Sequence, residues 1–426
     1  MYTKQTLKNG LTILEVPIPS AKSVLVDIFI KTGSRQESAR LNGISHFLEH
    51  MFYKGCRKYP TPQALSHALD AIGAEYNANT GKEHTQFYIK AAKKHFRFIF
   101  EVLTDMLQNP VLAKPEIERE KGVIIEEINM YEDTPMHHVG DVLEEICWPN
   151  QPLGRNIAGS KKVIKKLTRQ GIQDHVQTFY QPKNMILGIG GSFDQKLLQN
   201  LVKKYWANLP GKKSPAWQRA KVKQEQPVFR VQTKKTEQQH LALGFRSYHY
   251  NHHDYIPQIV LAAILGGGMS SRLFTEIREK QGWAYYVKTL PVNYQDTGLF
   301  IIQAGIRLDI LPEVLKTIML ELARLKFQAV PLPELTKAKE YLKGTLTLSL
   351  EESGAMLGWY LEQAAFRREI LEPEEIFARI DRVQANDLLR VAQAVFQEKK
   401  LSLAVVGRDN FRGKIKDALR FPDLRN

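Results

Sequence analysis

Cysteine is scarce in this chain. Cys56 and Cys147 are the only two in 426 residues. That is too few for a disulfide framework, suits a reducing compartment, and leaves both expected as buried thiols. No run of 18 or more apolar residues occurs, which excludes a transmembrane helix and a membrane partner of that kind. The opening stretch MYTKQTLKNGLTILEV lacks the apolar segment of a signal peptide and passes at once into strand-like alternation, so no targeting segment is expected and the cytoplasm is the expected location. Acids are the minority charge: 45 Asp+Glu stand against 60 Lys+Arg, a formal net charge of +15. Such an excess fits an anionic partner. However, the basic residues are scattered, with the densest groups at 161–166 and within 211–226, and no nucleic-acid-binding module is present. Nucleic acid is therefore not expected as a partner.

What the chain does contain is the composition of a soluble globular protein, with 43% hydrophobic and 25% charged residues, over a length that predicts two domains. The stretch NLPGKKSPAWQRAKVKQEQP, residues 208–227, is rich in Pro, Gly and Lys and reads as a linker. The segments on either side resemble each other. GIQDHVQTFY followed by NMILGIGGSF matches NDLLRVAQAVF followed by KLSLAVVGRD, and Gly191 and Gly407 lie 216 positions apart. At the same offset VDIFIKTG aligns with LALGFRSY, Phe29 against Phe245. These pairs predict a duplicated α+β unit of about 210 residues. Each copy is expected to be a mostly antiparallel sheet with helices on one face. The divisions are 1–207, a linker 208–227, and 228–426.

The copies differ where the chemistry is densest. In GISHFLEHMFYKG, residues 43–55, Ile44, Phe47, Leu48 and Met51 recur at helical spacing. His46 and His50, four apart, then stand one above the other and can present both rings to one ion. Glu49 points nearby without needing to ligate, the place of a general base acting on a water at the metal. This is the H-x-x-E-H order. At the repeat offset these positions become Ala262, Leu265 and Gly266, and QIVLAAILGGGMSSRL holds no histidine or glutamate. Only the first copy can carry the metal. Zinc needs a third protein ligand, and PEIEREKGVIIEEINMYED, residues 115–133, is the best source. Glu116, Glu120 and Glu127 share a helix face, and periodicity alone leaves Glu120, Glu126 and Glu127 open as the ligand. SYHYNHHDY (247–255), with His249, His252 and His253, is expected as a polar loop between strand and helix, and His137 and His138 as part of a turn-rich segment after Pro135.

On these motifs the chain resembles the pitrilysin-type zinc metallopeptidases, the family that includes insulin-degrading enzyme and mitochondrial processing peptidase, in its short two-domain branch. The likeness runs from LKNGLTIL at 7–14 to the last strand near Val406. It implies Zn²⁺ held by His46, His50 and Glu127, because the family places 76 residues between the second histidine and the third ligand, as between His50 and Glu127 here. It further implies Glu120 close to the metal and Glu49 as the general base. GAEYNANTGKEHTQFYIK (73–90) is similar to the strand that receives substrate, with Asn77 and Ala78 at the positions that pair with the peptide backbone. LGGGMSSRLFTEIREKQGWAYYV (265–287) places Arg278 and Tyr285 where the family has residues that reach the active site from another domain and hold the substrate carbonyl. The resemblance implies a zinc endopeptidase acting on peptides inside a chamber closed by two chains, either a homodimer or a heterodimer with a paralogue. The competing expectation is a non-catalytic subunit or a peptide-binding partner of such an enzyme.

Overall fold

Residues 24–30, VLVDIFI, are apolar on both sides of a strand except at Asp27. A strand so composed is covered on both faces, and it lies inside its sheet. The computed structural model describes residues 2–408 and 412–424. Strands β1 (Thr3–Thr6), β2 (Thr12–Pro17), β3 (Ser23–Ile30), β4 (Glu75–Thr80), β5 (Thr85–Ala92) and β6 (Met185–Gly191) form one sheet in the order β1-β2-β6-β3-β5-β4. Strands β7 (Val228–Thr233), β8 (Gln239–Ser247), β9 (Ala284–Asn293), β10 (Gly298–Ile306) and β11 (Leu401–Gly407) form a second in the order β7-β11-β8-β10-β9. Only the β2/β6 and β7/β11 pairs are parallel. The fold is thus α+β with two mostly antiparallel sheets, and apart from β1 the two strand orders are the same.

The repeat is visible in the register, with one adjustment. β2 and β6 begin 216 positions before β7 and β11. Val26, however, pairs with Ile189, while Leu241 pairs with Val405, so β8 trails β3 by 215. The counterpart of Phe29 is therefore Gly244 and not Phe245. A slip of one residue exchanges the two faces of a strand, and the faces agree: Val26 and Ile28 pack under helices in the first sheet, as Leu241 and Leu243 do in the second.

Two compact units result, and they do not follow a linear division at 207 and 228. The first comprises residues 1–129, 155–218 and 349–370; the second comprises 130–154, 219–348 and 371–426. In the first, Val24, Val26, Ile28, Phe87 and Ile89 pack against helices Ile44–Phe52 and Phe96–Gln108. Its other face meets helix Ser353–Phe366, where Leu361 and Leu357 lie against Gly188 and Gly190, and Phe366 against Phe29. In the second, Leu241, Leu243, Phe245 and Phe300 pack against helices Tyr255–Gly266, Leu311–Phe327 and Ala385–Val395. Its other face, with Ala242, Leu299 and Val406, is covered by Val139, Val142 and Leu143 of helix Pro135–Cys147. The main helical layer is on one face, as expected. The single helix on the opposite face arises because central strands buried on both sides require a second cover, which each unit draws from a distant part of the chain.

Pro135 begins a helix instead of marking a turn. It occupies the first helical turn, where its missing N–H costs nothing, so His137 and His138 are helical. The 208–227 segment forms neither helix nor strand, yet it is pinned. Trp217 stacks on Arg35 at 4.0 Å, and Arg35 Nη2 donates to the Gln218 carbonyl at 3.1 Å. Beyond the unit boundary Lys221 N donates to Gln151 Oε1 at 2.7 Å. Both cysteines are buried and free. Among the described residues no helix is long and apolar enough to cross a membrane.

Candidate metal centre and active site

Helix Ile44–Phe52 carries His46, Glu49 and His50, and its start is held from a distance. Gly43 precedes it at φ 98°, a left-handed conformation that favours glycine, and a Cβ there would lie 2.6 Å from the Ala158 carbonyl oxygen. The orphan N–H groups of the first turn donate to the buried Glu37 carboxylate, from Gly43 N at 2.7 Å and Ser45 N at 2.8 Å, with Asn42 Nδ2 at 2.9 Å. Burial pushes the Glu37 carboxyl up to about 7, against the pull of these hydrogen bonds.

The long helix Lys114–Glu132 brings Glu120 and Glu127 to the histidines. His46 Nε2 lies 3.5 Å from Glu127 Oε1, and His50 Nε2 lies 3.4 Å from Glu127 Oε2. One donor atom from each of His46, His50 and Glu127 falls within 4.8 Å of the others. Of the remaining acids, Glu126 is exposed and pairs with Asn129, and Glu116 pairs with Arg119. Glu120 sits behind His50: His50 Nδ1 and Glu120 Oε1 are 2.7 Å apart, and Lys54 Nζ is 2.7 Å from Glu120 Oε2. With the Nδ1 proton held by Glu120, loss of the proton on Nε2 leaves that nitrogen as a lone-pair donor on the side of Glu127.

The ionisation states follow from this packing. Burial alone would lower the pKa of His50, but the neighbouring Glu120 and Glu127 carboxylates outweigh that and raise it to about 9. The two imidazoles hold Glu127 down at about 2. For Glu120, burial works against ionisation, and the partners His50 and Lys54 prevail, so its pKa is lowered. The donor set fits a divalent cation on two grounds. Donors bound tetrahedrally at roughly 2.0–2.1 Å from zinc are about 3.4 Å apart, close to the separations seen here. Glu127 Oε2 is also buried with no hydrogen-bond partner, an oxygen that a cation would satisfy.

Glu49 is held by the Thr80 hydroxyl, which donates to Glu49 Oε2. Thr80 ends β4, the edge strand of its sheet. Asn77 and Ala78 lie on this edge opposite Tyr88 and Phe87. The Ala78 N–H donates to the Asn77 side-chain oxygen at 2.8 Å instead of to the neighbouring strand, so it faces the open edge. Thr80 and Lys54 are site residues that sequence reasoning passed over. Thr80 stands two residues beyond Ala78, on the same side of the strand, and Lys54 stands four beyond His50.

Arg278 and Tyr285 belong to the second unit, and the fold brings the two together. Arg278 Nη1 donates to the Tyr285 carbonyl at 2.7 Å, and its guanidinium lies 4.8 Å from the Phe274 ring centre. The Tyr285 side chain is 72% exposed. His252, His253 and Asp254 also gather within metal-ligand reach. There, Arg390 already neutralises Asp254 at 2.6 Å, and His252 Nδ1 accepts the Asp254 N–H at 3.0 Å. This is a capped loop between β8 and the next helix.

Comparison with known proteins accords with this geometry. The family model described as insulinase (peptidase family M16) matches residues 13–161, and that of the peptidase M16 inactive domain matches residues 166–342. A Bacillus subtilis protein named "Uncharacterized zinc protease YmxG" is 32% identical, the alignment covering 93% of this chain and 96% of the relative. The mitochondrial-processing peptidase subunit beta of Saccharomyces cerevisiae is 30% identical over 94% of this chain and 90% of its own length. A crystal structure of a protease from Helicobacter pylori superposes with a TM-score of 0.89 at 24% identity, covering 95% of this chain and 99% of the other. The chain belongs to peptidase family M16, the pitrilysin and processing-peptidase family. Several of its relatives bear the name uncharacterized zinc protease.

Proposed function

We propose that the chain is a zinc-dependent endopeptidase that cuts peptides and unfolded segments. The observation that carries this reading is the convergence of His46, His50 and Glu127 donors beside Glu49. Zinc, when bound by these three, supplies Lewis acidity that lowers the pKa of water and polarises a peptide carbonyl. Glu120 orients His50. Glu49, steadied by Thr80, accepts a proton from the attacking water and returns it to the departing amine. An extended peptide adds to the β4 edge at Asn77 and Ala78, replacing the Asn77 side chain at the Ala78 N–H with its own carbonyl. Arg278 and Tyr285 donate hydrogen bonds to the scissile carbonyl oxygen as it gains charge. The intact donor set speaks against the alternative of a non-catalytic partner subunit.

The test is incubation with a mixed peptide library, with and without a chelator, alongside Glu49→Gln. Cleavage should require metal. The variant should retain zinc by metal analysis and lose activity by roughly 10²- to 10⁴-fold. A variant that still turns over removes Glu49 from the mechanism, and a wild-type chain that neither binds zinc nor cleaves supports the non-catalytic reading.

The same proposal has two copies closing a chamber around the peptide, with Arg278 and Tyr285 of one serving the metal centre of the other. The exposure of Tyr285 supports it. Mixing His46→Ala chains with Arg278→Ala chains should restore activity. Mixed dimers that form but stay inactive would show that the site is not shared, and assembly only with a paralogue would replace the homodimer. A cytoplasmic location, supported by the two free buried thiols, is checked by cell fractionation; recovery from another compartment would overturn it.

A further inference from the structure

Arg246 is the penultimate residue of β8. Leu241, Leu243 and Phe245 face the main helical layer of the second unit, so Arg246, one position out of phase, faces the other side. There its guanidinium lies 4.6 Å from the Trp148 ring centre. The residue is 7% exposed, and its Nε and Nη1 atoms are buried without a hydrogen-bond partner. Among the described residues no carboxylate pairs with it. The ionisable group whose field it feels is the Cys147 thiol, and burial raises the pKa of that thiol, which keeps it neutral. A buried cation lacking a counter-charge is costly to a fold.

Arg246 lines a cleft of about 980 Å³, with Lys221, Lys223 and Arg230 also on its wall and Glu225 as the single acid there. Arg230 is engaged by Glu145 at 2.6 Å. Lys221 and Lys223 make no ion pair among the described residues. Their segment is held in place: Gln151 brackets Lys221 by two hydrogen bonds, of 2.7 and 2.9 Å to its main chain, and Gln224 Nε2 donates to the Leu401 carbonyl at 2.6 Å. The cleft is of the size that takes a small ligand, and a guanidinium is suited to bidentate recognition of oxyanions.

We propose that this cleft binds a multiply charged oxyanion, a phosphate or polycarboxylate group, seated on Arg246 and flanked by Lys221 and Lys223. The missing counter-charge of Arg246 is then supplied by the ligand. The site lies entirely within the second unit and does not depend on the peptidase reading.

Calorimetric titration and thermal melting of the full chain test this, with pyrophosphate and citrate as separate probes and sodium chloride of equal ionic strength as reference. Saturable binding and a raised melting temperature are expected with at least one probe, and the stronger arm identifies phosphate or carboxylate as the preferred group. Arg246→Met should keep or raise the melting temperature of the free protein, since it removes an unpaired buried charge, and should weaken binding by about tenfold or more. Lys221→Ala with Lys223→Ala, both at the cleft wall, should weaken it severalfold, and this variant decides the matter if Arg246→Met does not fold. The proposal is overturned by any of three results: a response to both probes no greater than to sodium chloride, unchanged affinity in the variants, or an Arg246→Met chain that melts lower yet binds as before.

Discussion

In the first unit the helix following the inner strand carries His46, Glu49 and His50, and Glu49 meets Thr80 on the edge strand β4. In the second unit the corresponding helix, Tyr255–Gly266, carries neither histidine nor acid, and its last residue lies against the edge strand β9. A Cβ on Gly266 would stand 2.3 Å from Thr289 Oγ1 and 2.8 Å from its backbone N. The same sheet order thus supports two outcomes. One unit keeps space between helix and edge strand and fills it with titratable groups. The other closes that space by backbone packing, which leaves no room for a ligand side chain. The helix starts differ as well. The histidine helix is held by the remote carboxylate of Glu37, whereas Asp254, at the cap of the second helix, is held by Arg390.

The strongest challenge to this contrast is to put a ligand where the second unit has none. Gly266→His should destabilise the protein by about 3 kcal/mol or more, because the new side chain meets backbone that cannot yield. His50→Ala, which removes a partly exposed ring, should cost only about 1 kcal/mol in the metal-free protein. Denaturant unfolding of both, without metal, measures the difference; equal costs would show that the closed packing is not what separates the units.

A second probe uses Asp27, buried on the inner strand β3, whose register counterpart in the second unit is Ala242. Burial raises its pKa from 3.8 to about 7, against the hydrogen bond from Gln86. The folded chain therefore retains a proton that the unfolded chain releases, and this contribution to stability falls as pH rises from about 4 through 7. Asp27→Asn escapes the loss. Its stability relative to wild type should be greater at pH 8 than at pH 5 by about 2 kcal/mol, read from unfolding curves at the two values. No change with pH would mean that Asp27 is already ionised in the fold.

The smallest effect is expected at the helix start. Glu37→Ala leaves the Gly43 and Ser45 N–H groups without their acceptor and should cost about 1 to 2 kcal/mol. Zinc affinity, measured in competition with a chromophoric chelator, should fall with it because the histidine helix loses its anchor. Unchanged stability and affinity would assign the anchoring to the packing of Ile44, Phe47 and Leu48.

Much of this was legible in the residues. The helical spacing of His46 and His50, the absence of any counterpart in the second half, and the 216-residue repeat are local or periodic patterns, which a chain displays directly. Less visible were relations that depend on distant partners. Periodicity left Glu120, Glu126 and Glu127 open as metal neighbours, and only the approach of two helices separated the exposed Glu126 from the other two. The alignment of Phe29 with Phe245 was off by one because similar apolar runs do not reveal their register; ladder pairing does. The expectation of helices on one face lacked the two covering helices, since no local pattern in 135–147 or 353–366 says which sheet each will reach.

The sequence by itself determined the donor types, their helical phase, the duplication and the restriction of the metal motif to one half, because each depends on spacing along a regular element. The tertiary structure decided which glutamate faces the histidines, which helix covers which sheet, and that Arg246 is buried without a counter-charge. Those outcomes depend on burial and on the distance between groups far apart in the chain, and such distances exist only once the elements have packed.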